Sequence, residues 1–170
     1  MRRLNFSYGS NLDVVQMQRR CPGAVAVGVA TLVDHEIAFT GFSRNRGGAV
    51  ATVRSRPGSL VPGVVYLLTR RHWQKLDRYE GTPSLYIRRS VDVWIDEHAL
   101  RVLLYVRATD ERERGPTASY LASIRRGYAD FGLDPRPLHD AVIRARRYEC
   151  GEGDGEGLLA RGTAYRSDAR

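Results

Sequence analysis

Long apolar runs are missing from this chain: no window approaches the roughly 18 consecutive apolar residues that a membrane span needs, and Met1 to Phe6 carries two arginines with no apolar segment behind them. The sequence therefore reads as that of a cytoplasmic protein without membrane association. Cysteine is scarce. Cys21 and Cys150 lie far apart and lack Cys-x-x-Cys spacing, so they read as reduced structural thiols rather than as metal or redox ligands. His35, His72, His98 and His139 stand singly, without metal-ligand spacing or a Ser-His-Asp order, so no metal is expected. No Gly-x-Gly-x-x-Gly follows a strand and no phosphate-binding loop with a Gly-Lys pair is present, which argues against a nucleotide enzyme.

Lysine is almost absent too. Lys75 is the only one, so the net charge of +8 rests on arginine. The arginines fall in scattered pairs, from Arg2-Arg3 to Arg146-Arg147, and gather on no single element with interleaved aromatics. A nucleic-acid partner is therefore not expected, because net charge by itself governs only non-specific association.

At 170 residues, with 42% hydrophobic and 27% charged residues, the chain has the length and composition of one folded domain. Residues 1–150 read as that domain. Residues 151–170 begin with glycine and acid and no apolar period, and read as a flexible link to a terminal strand or tail.

Leu4 to Ser7 suits a strand, and the turn at Gly9-Ser10-Asn11 leads into a helix over 12–20, with Ser10 or Asn11 as its cap and Cys21-Pro22-Gly23 as its stop. Four strands are expected over 24–33, 35–42, 48–54 and 63–69, separated by Asp, Gly, Asn and Pro. Thr69 caps a helix over 70–79 whose apolar face includes Trp73 and Leu76, and Glu80-Gly81 ends it. Strands over 85–95 and 100–108 form a hairpin, and helices follow from Thr117 to Gly132 and from Pro137 to Tyr148. This order predicts an α+β fold: a mostly antiparallel sheet curling into a small barrel with flanking helices.

Two places invite chemistry. In Tyr8-Gly9-Ser10-Asn11-Leu12, a glycine and two small polar residues at a strand-to-helix junction leave backbone N–H groups free to face an anion. The same residues also fit an ordinary capped turn. Glu80 places a carboxylate at a helix C-terminus, the end that favours a cation, which wants a reason; the bland alternative is a solvated surface glutamate.

Phe6-Ser7-Tyr8-Gly9-Ser10-Asn11-Leu12, then Gly47-Gly48 through Thr52-Val53, then Leu76-Asp77-Arg78-Tyr79-Glu80-Gly81 and Tyr86-Ile87-Arg88, resemble in this order the gamma-glutamyl cyclotransferase-like family. The resemblance includes its AIG2-like branch and the gamma-glutamylamine and butirosin-type branch that unmasks protected intermediates. Tyr120-Leu121-Ala122-Ser123-Ile124 is similar to the family's late helix.

The resemblance implies an enzyme that needs no cofactor and acts on a small gamma-glutamyl substrate. The α-amine attacks the gamma-carbonyl of its own glutamyl group, releasing 5-oxoproline and a free amine. It implies Glu80 as general acid and base, the Tyr8 to Leu12 loop as anion cradle, and Tyr8, Tyr86 and Tyr120 as pocket-lining hydroxyls. Some branches carry an aromatic where Arg44-Asn45-Arg46 stands here, which leaves the released amine open. The alternative is a non-catalytic member of the same fold that binds a metabolite or a protein.

Overall fold

The computed structural model describes residues 2–109 and 111–149. The expected link and tail at 151–170 lie outside them. Five strands, β1 (Arg2–Ser7), β2 (Val25–Ser43), β3 (Gly48–Thr69), β4 (Tyr86–Ile95) and β5 (His98–Arg107), close a barrel in the order β1-β3-β2-β4-β5. Neighbouring pairs run antiparallel except at the closure, where β1 meets β5 in parallel at Asn5 and Leu103 and the Asn5 amide donates to the Leu103 carbonyl at 3.3 Å. Around the barrel lie α1 (Val14–Arg20), α2 (Arg70–Glu80), α3 (Ala118–Asp130) and α4 (Arg136–Glu149).

The four strands expected between residues 24 and 69 are two long ones. Asp34, a turn residue by type, takes a left-handed φ of 54° and is absorbed as a bulge between Val33 and His35, where its carboxylate accepts from the Gly58 N–H at 2.8 Å. A bulge bends and twists a strand without ending it, so turn chemistry bends the β2–β3 hairpin around the barrel instead of breaking it.

Inward residues of all five strands, among them Phe6, Leu32, Phe39, Val64, Leu68, Val93 and Leu104, form one apolar core with the buried faces of the helices. Gly63 is required by this packing: a Cβ there would lie 2.5 Å from both the Phe6 ring and the Ser7 carbonyl. β1 thus crosses β3 closely just before the chain turns into the loop at residue 8.

α2 is fixed at both ends. The Thr69 hydroxyl accepts from the His72 N–H at 3.2 Å, and His72 Nδ1 accepts from the Thr69 N–H at 3.4 Å, a reciprocal cap that uses histidine where glutamate is more usual. His72 Nε2 then donates to the Pro22 carbonyl at 3.1 Å, tying α2 to the end of α1. At the other end Gly81 adopts φ 65°, ψ 38°, the left-handed stop that glycine tolerates, so Glu80 is the last helical residue.

The cap of α1 differs from expectation. Ser10 to Leu12 forms a single 3-10 turn, and Asp13 is the N-cap, its carboxylate accepting from the Gln16 N–H at 3.1 Å. The same carboxylate accepts from Arg126 of α3 at 2.6 and 3.0 Å. Burial pushes the Asp13 carboxyl up, but the Gln16 N–H and the Arg126 guanidinium outweigh it and hold the group below its usual value. A depressed carboxylate stabilises the fold above its unfolded pKa, and that contribution disappears as pH falls through the folded value. Asp13→Asn should therefore lower the free energy of unfolding, read from urea denaturation at neutral pH, by about 1 kcal/mol or less, with the difference vanishing in acid. A gap that persists unchanged at low pH would sink the account.

α4 is held to the long hairpin by charge. Arg54 and Arg144 each bridge the buried Glu36 and Glu113, at 2.6 and 2.5 Å for Arg54 and 3.0 and 3.1 Å for Arg144, and Arg56 adds a contact to Glu36 at 2.9 Å. Part of the chain's arginine is thus consumed in structural ion pairs.

Candidate active site

Glu80, at the end of α2, points toward the loop that follows β1. Its Oε1 accepts from Asn11 Nδ2 at 3.0 Å and from Arg20 Nη1 at 3.2 Å, and the same Arg20 nitrogen donates to Asn11 Oδ1 at 2.7 Å. Arg20 also lies 4.8 Å from the centre of the Tyr79 ring. The Glu80 side chain is only 15% exposed. Burial pushes its carboxyl above the usual value, while Arg20, the Asn11 amide and Arg46 pull it back toward the ionised form. The result is a carboxylate more basic than a surface glutamate and still held by two donors.

Beside it lies a narrow cleft of about 40 Å³ lined by Tyr8, Gly9, Ser10, Asn11, Ala51, Glu80, Tyr86, Tyr105 and Tyr120, with Asn5, Phe6 and Ser7 completing its floor. Four strands, β1, β3, β4 and β5, and two helices, α2 and α3, contribute to it together with the loop after β1. Buried phenols form its walls. Tyr8 donates to the Tyr105 carbonyl, Tyr86 to the Ala51 carbonyl at 2.7 Å, and Tyr105 to the Asp77 carboxylate at 2.8 Å. Burial raises the pKa of Tyr8, Tyr86, Tyr105 and Tyr120, so all four are neutral hydroxyls at physiological pH.

Tyr120 differs from the other three. Its oxygen accepts from the Ala51 N–H at 3.1 Å, an arrangement that does not use the hydroxyl's own hydrogen. In the loop, the Leu12 N–H donates to the Gly9 carbonyl at 3.0 Å and the Asp13 N–H to Ser10 at 3.2 Å. The N–H groups of Gly9, Ser10 and Asn11 donate to no protein acceptor among the described residues. The cleft therefore contains neutral donors with spare capacity next to one basic carboxylate.

Seven of the eight residues singled out from the sequence, Tyr8, Gly9, Ser10, Asn11, Glu80, Tyr86 and Tyr120, line this one cleft. Leu12 stands apart. Its side chain is fully buried beneath α3 and its N–H is taken by Gly9, so it shapes the loop from behind. Sequence reasoning missed Arg20 and Tyr105. Arg20 is one arginine of a pair on a short helix, and only the packing of α1 against α2 brings it to Glu80. Tyr105 sits in an alternating strand, where an aromatic signals core. Among the described residues, no group of three or more His, Cys, Asp or Glu side chains is placed to hold a metal ion.

Comparison with known proteins gives this geometry a lineage. A family model described as gamma-glutamyl cyclotransferase, AIG2-like, matches residues 5–122. The gamma-glutamylcyclotransferase of Bos taurus is 31% identical over 135 residues, covering 76% of this chain and 72% of the bovine protein; that of Homo sapiens is 30% identical with the same coverage. A solved structure described as gamma-glutamyl cyclotransferase superposes with a TM-score of 0.77 at 27% identity, covering 83% of this chain and 86% of the other. With Glu80 set beside the Tyr8 to Leu12 loop on a closed five-stranded barrel, and with relatives of this similarity, the chain belongs to the gamma-glutamyl cyclotransferase, AIG2-like family.

Proposed function

We propose that Glu80 is the general acid and base of this gamma-glutamyl cyclotransferase, and that the cleft beside it takes the glutamyl half of a small-molecule gamma-glutamyl amide. One observation carries the reading: a largely buried carboxylate of raised pKa lies beside a loop with three backbone N–H groups unengaged by the described residues.

The α-ammonium of the substrate has a pKa near 8 and is mostly protonated at neutral pH, so it must lose a proton before it attacks. Glu80 takes that proton. The amine then bonds to the gamma-carbonyl carbon, and the carbonyl electron pair moves onto oxygen. When the intermediate collapses, the bond from that carbon to the amide nitrogen breaks and protonated Glu80 returns its proton to the departing nitrogen. The freed Glu80 carboxylate then takes the second proton from the attacking nitrogen, acidic since it gained its fourth bond, and passes it to the released amine, which leaves as an ammonium. Atoms and electrons balance between substrate and Glu80, leaving 5-oxoproline and a free amine.

Because nucleophile and electrophile share one chain, the cleft's main task is to hold the glutamyl group folded. The N–H groups of Gly9, Ser10 and Asn11 and the hydroxyl of Tyr120 supply donors for the α-carboxylate and the developing oxyanion. Tyr8 and Tyr86, their hydroxyls already engaged with backbone carbonyls, shape the walls.

Arg20 opposes the effect of burial and pulls the Glu80 carboxyl back toward the ionised form. In Arg20→Gln the Glu80 pKa rises, so the acidic limb of the kcat/KM profile moves to higher pH. A limb that stays in place would take Arg20 out of this role.

We place the protein in the cytoplasm. Its buried thiol Cys21 is free, as a reducing compartment allows, and no helix among the described residues is long and apolar enough to cross a membrane. The direct test is release of 5-oxoproline from a panel of gamma-glutamyl amides and amines. Release from any of them supports the reading, whereas a pure protein that releases none, at any pH from about 6 to about 9, favours a binding role for the same cleft.

A further inference from the structure

Closure of the barrel rests on little at the seam between β2 and β4. Among the described residues the two strands pair at Thr31 and Trp94 alone. A cavity of about 420 Å³ lies between the β2–β3 and β4–β5 hairpins, and it shares no lining residue with the catalytic cleft. Ala38, Val91, Leu104 and Val106 give it apolar walls, while Thr40, Arg89 and Arg107 bring hydrogen-bond donors.

Arg107 is built into this cavity and not laid over it. Its side chain is only 8% exposed, its Nη2 donates to the Glu111 carboxylate, and its guanidinium lies 5.6 Å from the centre of the Tyr86 ring. Gly41, at φ 64°, makes the room: a Cβ there would lie 2.5 Å from Arg107 Nη2. Held in this way, Arg107 keeps a buried Nε with no hydrogen-bond partner among the described residues. The buried hydroxyl of Thr40 on β2 is in the same state. Buried donors in folded proteins are seldom left unpaired, so two of them in the lining of one cavity point to a partner from outside the chain.

Charge selects that partner. Arg54, also at the cavity, is taken by Glu36 and Glu113, Glu113 is shared with Arg144, and Arg107 has Glu111. Arg89 is exposed, stands opposite Leu104 in the β4–β5 ladder, and has no acid within ion-pair distance among the described residues. One guanidinium charge is left over, which complements a single negative charge and not two. With the apolar walls beside it, the match is a carboxylate on a hydrocarbon body.

We propose that this cavity is a second small-molecule site, separate from the catalytic cleft, which binds a monocarboxylate: the carboxylate meets Arg89 and Arg107, and the hydrocarbon lies on Val91, Leu104 and Val106.

Titration of the nitrogen-15-labelled protein with hexanoate, followed by backbone amide shifts, tests this. Hexan-1-ol probes the hydrocarbon without the charge, and inorganic phosphate the charge without the hydrocarbon. Hexanoate should give saturable shifts at residues 38–40, 52–54, 89–91 and 104–108, with Kd roughly 10-fold or more below that of either other compound, the size of a charge-assisted hydrogen bond. Arg89→Gln should weaken hexanoate to the level of the alcohol and leave 5-oxoproline release unchanged. Arg89 carries the test because it is exposed and unpaired among the described residues, whereas removing Arg107 would also disturb the packing against Gly41 and Tyr86.

Equal affinity for hexanoate and hexan-1-ol would reduce the cavity to an apolar surface and overturn the assignment. Tighter binding of phosphate, hexanoate shifts confined to residues 8–11, shifts that fail to saturate, or undiminished affinity in Arg89→Gln overturn it as well. A fall in 5-oxoproline release on substituting Arg89 overturns the separation of the two sites. None of these outcomes bears on Glu80 as the acid and base of the cleft.

Discussion

Replacing Glu80 by glutamine should lower the rate of 5-oxoproline release by about 100-fold or more, the usual size of a general acid–base contribution. Glutamine is nearly isosteric with glutamate, and its carbonyl oxygen can still accept from Asn11 and Arg20, which now hold Glu80 Oε1 at 3.0 and 3.2 Å. The cleft therefore keeps its shape while losing the one group able to take the α-ammonium proton. The loss should fall on kcat more than on KM, because the proton moves in the transition state and not in substrate binding. Folding should change little. Glu80 is a burdened group in the native state, its carboxyl pushed up by burial, so neutralising it removes a desolvation cost as well as the Arg20 contact. Equal rates for the two proteins would remove Glu80 from the mechanism, and a collapsed melting transition would make the comparison one of stability instead.

The second large effect is structural and reaches the same site from behind. Gly127, in the middle of α3, faces the loop so closely that a Cβ would sit 2.2 Å from Leu12 Cβ, 2.6 Å from the Leu12 carbonyl carbon and 2.8 Å from the Asp13 nitrogen. Two of those atoms are backbone, so no rotamer change relieves the contact. Gly127→Ala must push α3 and the 3-10 turn Ser10–Leu12 apart. The intrinsic helix propensity of alanine favours the substitution by about 1 kcal/mol, but overpacking of this kind costs typically about 1–3 kcal/mol and more where backbone must move.

A lower urea midpoint is the expected outcome, together with a loss of activity greater than the midpoint explains, since Asn11 and the Gly9 to Asn11 N–H groups move with Leu12. Gly132→Ala provides the comparison. Gly132 ends the same helix at φ 61°, and a Cβ added there would meet no atom within 4 Å, so its cost is conformational strain alone and the cleft should remain active. If Gly127→Ala matches the unchanged protein in both measurements, α3 does not brace the loop.

Glycine plays opposite parts at these two positions, and only one was visible in advance. Gly132 reads as a helix stop because glycine after a periodic apolar stretch usually is one. Gly127 lies inside the periodic stretch, where glycine is merely unfavourable, and its reason is a contact with a loop more than 100 residues earlier.

The same division runs through the site. Local rules sufficed for the strand-loop-helix at the N-terminus, for the Thr69 cap and for the Gly81 stop that leaves Glu80 at the end of α2, because each depends on backbone conformations that neighbouring residues set. They were insufficient for Asp13, which takes the capping role expected of Ser10 or Asn11 because Leu12 is drawn into the core and the turn before it closes as 3-10. They also divided β2 and β3 at Asp34 and at Pro57-Gly58, since a bulge and a turn use the same residue types and only pairing across the barrel distinguishes them.

By itself, then, the sequence determined the class of fold, the order of its elements and the two segments that carry the chemistry, because hydrophobic period, caps and glycine stops are local properties and the motifs resemble a known family. The tertiary structure alone decided that Arg20 would reach Glu80 and pull its carboxyl back toward the ionised form, and that the Tyr120 oxygen would accept from the Ala51 N–H in the same cleft. Each of those depends on contacts between elements that closure of the barrel brings together, and no spacing along the chain encodes them.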